Sequence, residues 1–140
     1  MADQDTFKIK IVTPKGSSFE QLCAYAKLPG VTGEIGVLPN HSPLVAQLKS
    51  GKIRVEHDDE IQRFFVPEGF AHVTQTEVLI LVPFAEEKST IDVSRANESK
   101  RRAIDRLSDY APEIDRERAR KALMRAESRL YIAIGEIAKA

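Results

Sequence analysis

Only one cysteine and no tryptophan occur in the 140 residues, and aromatic side chains make up 6% of them. The lone thiol, Cys23, excludes an internal disulfide and any cysteine-built metal site, and it suits a reducing compartment; it reads as a small buried apolar residue. Net charge is missing too, because 21 Lys and Arg balance 21 Asp and Glu. The chain as a whole therefore has no electrostatic drive toward nucleic acid or an anionic membrane surface, and any attraction for anions must be local. No apolar run approaches the roughly 18 residues that a membrane span needs. The start, Met1-Ala2-Asp3-Gln4-Asp5, is polar and acidic rather than a basic segment leading into an apolar one. The expectation is a soluble chain of one domain, or one domain with a short appendage, that stays in the compartment where it is made and does not insert into a membrane.

Signatures of catalysis are also lacking. His41, His57 and His72 do not form a short metal-ligand pattern, and no serine stands in a nucleophile elbow. His41 follows Pro39-Asn40 in a turn-rich segment and His72 alternates with Ala71 and Val73, so local hydrogen bonding is the expected role of each. Carboxylates are plentiful but scattered, with no pair whose spacing implies an acid and a base. No catalytic residue, no metal site and no required cofactor are expected.

What is present divides into two unlike parts. Six of seven glycines and six of seven prolines lie before residue 86, while charged residues rise from 18 in the first 85 positions to 24 in the last 55. The first part, 1–85, alternates as half-buried strands do: Phe7, Ile9 and Ile11 with Lys8 and Lys10 between them, and Ile53 and Val55 among Lys52, Arg54 and Glu56. Turn signals at Thr13-Pro14-Lys15-Gly16, Lys49-Ser50-Gly51, His57-Asp58-Asp59-Glu60 and Thr74-Gln75-Thr76 separate apolar runs such as 44–48, 64–66 and 78–82. Short strands at this spacing predict a compact β-sandwich or barrel. The run 78–82 is apolar on both faces, which predicts a strand in the middle of the core rather than at an edge.

The second part, 86–140, has helical periodicity broken once. Ala119, Leu123, Ala126, Leu130, Ala133 and Ile137 draw an apolar stripe, matched before the break by Ala96, Ala103, Leu107 and Tyr110. Ser108-Asp109-Tyr110-Ala111-Pro112 reads as the stop, and Pro112 can open the next helix. The prediction is an antiparallel two-helix hairpin following the β domain. Its seam is mostly alanine, so at about 0.8 kcal/mol per buried CH₂-sized group it yields only a few kcal/mol. Ordering the backbone costs about 1 to 2 kcal/mol per residue. Small changes of partner can open such a pair, while alanine's helix propensity preserves each helix on its own.

Arg95, Arg102 and Arg106 fall on one row beside the first stripe, and Lys121, Arg125 and Arg129 on one row beside the second. Like charges four apart repel by about 0.2 to 0.5 kcal/mol per pair unless anions compensate. Spacing alone favours a solvated face, in which Glu98 sits four before Arg102 and Glu117 four before Lys121. The functional reading is a polyphosphate clamp, because guanidinium forks match phosphate oxygens in pairs. Standard nucleotide motifs are absent: no glycine-rich loop ends in Lys and Ser or Thr, and Gly30, Gly33 and Gly36 lack the dinucleotide spacing. A nucleic-acid arm is disfavoured by the interleaved acids and the scarcity of aromatics.

The segment Gly33-Glu34-Ile35-Gly36-Val37-Leu38-Pro39-Asn40-His41-Ser42-Pro43-Leu44, continuing to Leu48 and Gly51-Lys52-Ile53-Arg54-Val55, closely resembles the epsilon subunits of bacterial and plastid F-type ATP synthases. Phe64-Phe65-Val66, Gly69-Phe70-Ala71, Ala85-Glu86 and Ile91-Asp92-Val93-Ser94-Arg95-Ala96 extend the likeness, in order, over nearly the whole chain. The resemblance implies an N-terminal β-sandwich that docks on the gamma subunit and the ring of c subunits, followed by a regulatory hairpin. It implies a non-catalytic rotor subunit on the cytoplasmic face of the bacterial membrane, coupling proton-driven rotation to ATP synthesis. The hairpin would lie folded, or extend along gamma into the alpha/beta catalytic head and inhibit ATP hydrolysis there.

In some bacterial members the folded hairpin binds ATP, and Glu86, Asp92, Arg95, Ala96, Arg102, Arg125 and Arg129 match those positions in type and spacing. The resemblance thus shifts the arginine rows toward an ATP clamp, with ATP a regulatory ligand. Two departures stand out. Pro67-Glu68-Gly69 occurs where many relatives carry another small residue, and Pro83-Phe84 where a small or acidic one is common. Pro67 is expected at a sandwich edge, since proline cannot donate to a ladder. The alternative expectation is a freestanding ligand-binding β module whose helices form an oligomerisation hairpin.

Overall fold

In the computed structural model, residues 5–134 are described. Ile137, the last position of the second predicted stripe, lies outside them. Two compact units divide between Glu87 and Lys88.

The first unit contains β1 (Phe7–Thr13), β2 (Gly16–Cys23), β3 (Tyr25–Gly30), β4 (Gly33–Val37), β5 (Leu44–Leu48), β6 (Gly51–His57), β7 (Glu60–Val66), β8 (Gly69–Val73), β9 (Glu77–Leu81) and β10 (Glu86–Glu87). Hydrogen bonding runs β10-β7-β6-β3-β5-β8-β9-β1-β2, with β4 paired to β3. Every ladder is antiparallel except that of β1 with β9. The path narrows to the single pair Gly30–Leu48 between β3 and β5, so the sheet can fold there into two layers. Phe19 of β2 meets Phe64 of β7 at a ring-centroid distance of 4.6 Å, which joins strands far apart along that path. The inward-facing residues Ile9, Ile11, Leu28, Leu48, Ile53, Val73 and Ile80 are fully buried.

The alternating pattern foretold this core, and the expected turns lie between strands. At the β6–β7 hairpin Asp58 and Asp59 both take positive φ, 50° and 66°, the twist a two-residue turn needs to match its strands. Gly69 opens β8 so close to β9 that a Cβ there would collide with the Leu81 carbonyl and the Val82 side chain.

Two expectations are corrected here. The run 78–82 does form a strand interior to the sheet, flanked by β8 and β1. Its two faces differ, however: Val78, Ile80 and Val82 are buried, whereas Leu79 is half-buried and Leu81 is 45% exposed. Pro67 is not an edge-strand residue. It is buried in the connection just beyond β7, and β7 pairs on both sides, with β6 and β10.

The second unit holds a 3₁₀ turn, Lys88–Thr90, then α1 (Val93–Ser108) and α2 (Arg116–Ile134). Its start falls two residues past the boundary read from composition, because Glu86 and Glu87 pair with Phe65 and Phe64 of β7. Ala96, Ala103, Ala119, Ala126 and Leu130 are buried, as the two stripes required. Tyr110 does not belong to its stripe: α1 ends at Ser108 with Asp109 as C-cap, and the tyrosine ring is 86% exposed in the loop. Pro112 does not open α2 either. It sits inside a turn closed by the Ile114 N–H on the Ala111 carbonyl, a favoured place for proline. The start of α2 is set instead by Asp115, whose carboxylate accepts from the Arg118 backbone N–H at 3.0 Å.

Candidate functional site

The candidate residues cluster on the hairpin. Asp92 caps α1: its backbone is extended and its Oδ1 accepts from the Arg95 N–H at 3.1 Å. That places Arg95 in the first turn, exposed, with Ala96 buried one step further round. Arg102 stands about two turns along the same exposed side of α1. Arg125 and Arg129 follow one another by one turn of α2 and are half-buried.

The acids do not pair as an i to i+4 spacing suggested. Glu98 takes Arg101, with Arg101 Nη2 at 2.9 Å from Oε1, and Glu117 takes Arg120 at 2.8 Å. Arg102 donates to the Ser99 hydroxyl at 3.2 Å, a neutral partner that leaves its charge uncompensated by that bond. Glu98 and Glu117 are therefore engaged by arginines outside the candidate rows.

Lys100 lies 3.9 Å from Glu127, an ion pair that links the two helices. In an antiparallel pair rising about 1.5 Å per residue, this brings the turn that carries Arg102 to about the height of the turns that carry Arg125 and Arg129. Arginines from both helices thus belong to the same stretch of hairpin. Glu86 is different: it belongs to the first unit, in β10 opposite Phe65, and is half-buried.

One further feature escaped the sequence reading. Register puts Val45, Phe70, Leu79, Leu81 and Val12 on the outer face of neighbouring strands β5, β8, β9 and β1, around His72. Val45 is 70% and Phe70 53% exposed. Large apolar side chains gathered on one solvent-facing sheet surface mark an interaction site. The signal was present in the two-sided apolar run 78–82.

The remaining candidates are quiet. Cys23 is fully buried, and burial pushes its thiol up to about 12. His41 donates from Nδ1 to the Ser42 carbonyl at 2.7 Å, the local hydrogen bond expected. Among the described residues no group of three or more His, Cys, Asp or Glu is placed to hold a metal. No described helix is long and apolar enough to cross a membrane.

Comparison with known proteins gives this geometry its context. Residues 6–88 match the family model described as the ATP synthase delta/epsilon chain, beta-sandwich domain, and residues 89–133 match the long alpha-helix domain of the same chain. The ATP synthase epsilon chain of Bacillus mycoides (strain KBAB4) is 40% identical over 128 residues, covering 91% of this chain and 96% of the relative. That of Symbiobacterium thermophilum is 41% identical over 134 residues, covering 95% and 94%. A chain in a cryo-EM structure of the Euglena gracilis mitochondrial ATP synthase, OSCP/F1/c-ring, shares the fold with a TM-score of 0.83 at 22% identity, covering 94% of this chain and 82% of that one. A chain from the central stalk and c-ring of the Tetrahymena thermophila mitochondrial enzyme does so at 0.66 and 8% identity, covering 91% and 96%. These likenesses take in the sandwich and the helices together, which leaves the freestanding-module alternative without support. With both units matched in order, the chain belongs to the delta/epsilon family of ATP synthase chains.

Proposed function

We propose that the chain is a non-catalytic rotor subunit of the central stalk of an F-type ATP synthase, peripheral on the cytoplasmic face of a bacterial membrane. Its sandwich docks on gamma and the c ring and passes rotation between them. The observation that carries this reading is the exposed apolar face of β5, β8 and β9, where Phe70 lies opposite Leu81 and Val45 opposite His72, on a unit matched to the family's sandwich domain. Such a face suits a lasting protein interface better than free solvent. The test is co-purification with gamma: a chain that neither binds gamma nor alters ATP hydrolysis by the catalytic head would remove the proposal.

The hairpin supplies regulation. Folded, it binds ATP, with Asp92, Arg95, Ala96, Arg102, Arg125 and Arg129 on the nucleotide and the guanidinium groups on its phosphates. Extended, it follows gamma into the alpha/beta head and inhibits hydrolysis. The engaged state of Glu98 and Glu117 supports this, since neither neutralises Arg102 or Lys121 through the pairs it forms. ATP that binds only the folded form stabilises it by RT ln(1 + [L]/Kd), about 2.7 kcal/mol at a hundredfold excess over Kd. An alanine seam worth a few kcal/mol is within reach of that term. Titrating the isolated chain with ATP while following helix order, alongside Arg125→Ala and Arg129→Ala, tests it; equal weak responses in all three would exclude the clamp.

A further inference from the structure

We propose that the loop between α1 and α2 is a latch, in which Arg116 sets how often the hairpin opens. This rests on the hairpin being a switch, as proposed above, and adds the element that holds it shut. Arg116 is the first residue of α2, yet its Nη1 donates to the Asp109 carbonyl at 3.2 Å, seven residues back on the C-cap of α1. Its guanidinium also lies over the Tyr110 ring, 5.2 Å from the centroid.

Asp109 is the fixed end of this grip. Its N–H donates to the Arg106 carbonyl at 3.2 Å, and its Oδ1 accepts from the Ala111 N–H at 2.9 Å. The bonds around the loop therefore sort into two kinds. Those of Asp109 to Arg106 and of Asp115 to Arg118 cap one helix each and survive when the helices part. Those of Arg116 run from α2 to the end of α1 and must break when the backbone of the loop swings. The latch also accounts for Tyr110, an aromatic side chain left 86% exposed: its ring face is the surface on which the guanidinium rests.

A cation over an exposed aromatic ring, together with a weak solvent-facing hydrogen bond, corresponds to roughly a two- to fivefold bias toward the closed form. Amide hydrogen exchange on the full chain reads this, because a helix that has left its partner frays more often than one held in the pair, so seam amides exchange chiefly through the open population. In Arg116→Ala and Tyr110→Leu, amides around Ala103 of α1 and Ala126 of α2 should exchange about two- to fivefold faster, with sandwich amides unchanged. The double variant should be no faster than Arg116→Ala alone, since Tyr110→Leu removes only the ring contact that Arg116→Ala already removes along with the Asp109 bond. Arg116→Lys, which keeps a cation for the ring but loses the planar fork, should exchange at a rate between those of the wild type and Arg116→Ala. Acceleration confined to the loop amides, additive effects in the double variant, or wild-type exchange in Arg116→Lys would each overturn the latch. The measurement needs no gamma subunit, so its failure leaves the docking reading standing, and loss of gamma binding leaves the latch standing.

Discussion

Truncating Phe70 to alanine should weaken gamma binding without unfolding the sandwich. The ring is 53% exposed and points outward between Gln47 of β5 and Leu81 of β9. A fully covered aromatic side chain removes about 150–250 Å² from water, so docking has roughly 100 Å² of this ring left to bury. At about 25 cal/mol/Å² that is about 2.5 kcal/mol. Alanine forfeits most of it, about 2 kcal/mol, or roughly a thirtyfold rise in Kd. Calorimetric titration of purified gamma into wild-type and Phe70→Ala chains measures this, with thermal unfolding of each as the check on folding. Ile61, 42% exposed on β7 and outside that face, is the control for nonspecific loss. A change below threefold in Phe70→Ala, or an equal loss in Ile61→Ala, would refute the assignment of the docking face.

Two more outcomes are expected. Asp92→Ala should remove the N-cap of α1 and destabilise that helix by about 1 kcal/mol, seen as faster exchange of the Arg95 amide, while Asp92→Asn retains most of the cap; a weaker ATP response in Asp92→Asn at unchanged helicity would show that the carboxylate acts beyond capping. Cys23 should make stability fall in alkali. Its thiol titrates near 12 when folded against 9.0 otherwise, so both states keep the proton below pH 9, and above it only the unfolded chain ionises. Stability is thus complete below pH 9 and declines toward pH 12, by on the order of 4 kcal/mol in all at about 1.36 kcal/mol per unit. Denaturant unfolding of wild type and Cys23→Ala at several pH values reads the slope, and parallel curves would contradict it.

Much of the fold was legible because burial repeats with the period of the backbone. Ile9 and Ile11 in β1, Ile53 and Val55 in β6, and the alanines of the helices announce their elements this way. β2 was not named, since Gly16-Ser17-Ser18-Phe19-Glu20-Gln21-Leu22-Cys23 is polar and largely exposed, and its pairing with β1 comes from the ladder rather than from its own pattern. The parallel pairing of β1 with β9 has no local signature at all. Ile132, 1% exposed, falls off the predicted stripe of six residues.

The candidate positions were legible as types and spacings, but their local partners were not. Glu98 and Glu117 each pair with an arginine three residues on rather than with the cation four on, and both spacings bring helix side chains together. Tyr110 was read as seam because its spacing fits a helix that in fact stops at Ser108. The exposed side of the run 78–82 is not legible in the sequence, because an apolar run looks the same whether its second side meets a core or solvent.

The union of β1 with β9 has a bearing on how the chain comes off the ribosome. Residues 7–13 can form a hairpin with β2 as soon as both emerge, yet their other edge stays open until residues 77–81 arrive. Closure of the sheet is thus a late, long-range event, of the kind that slows folding. Every strand that takes part precedes the helices in the chain. The sheet's closing ladder thus joins the two ends of the first unit, and only the chain that follows it is left to be made into helices.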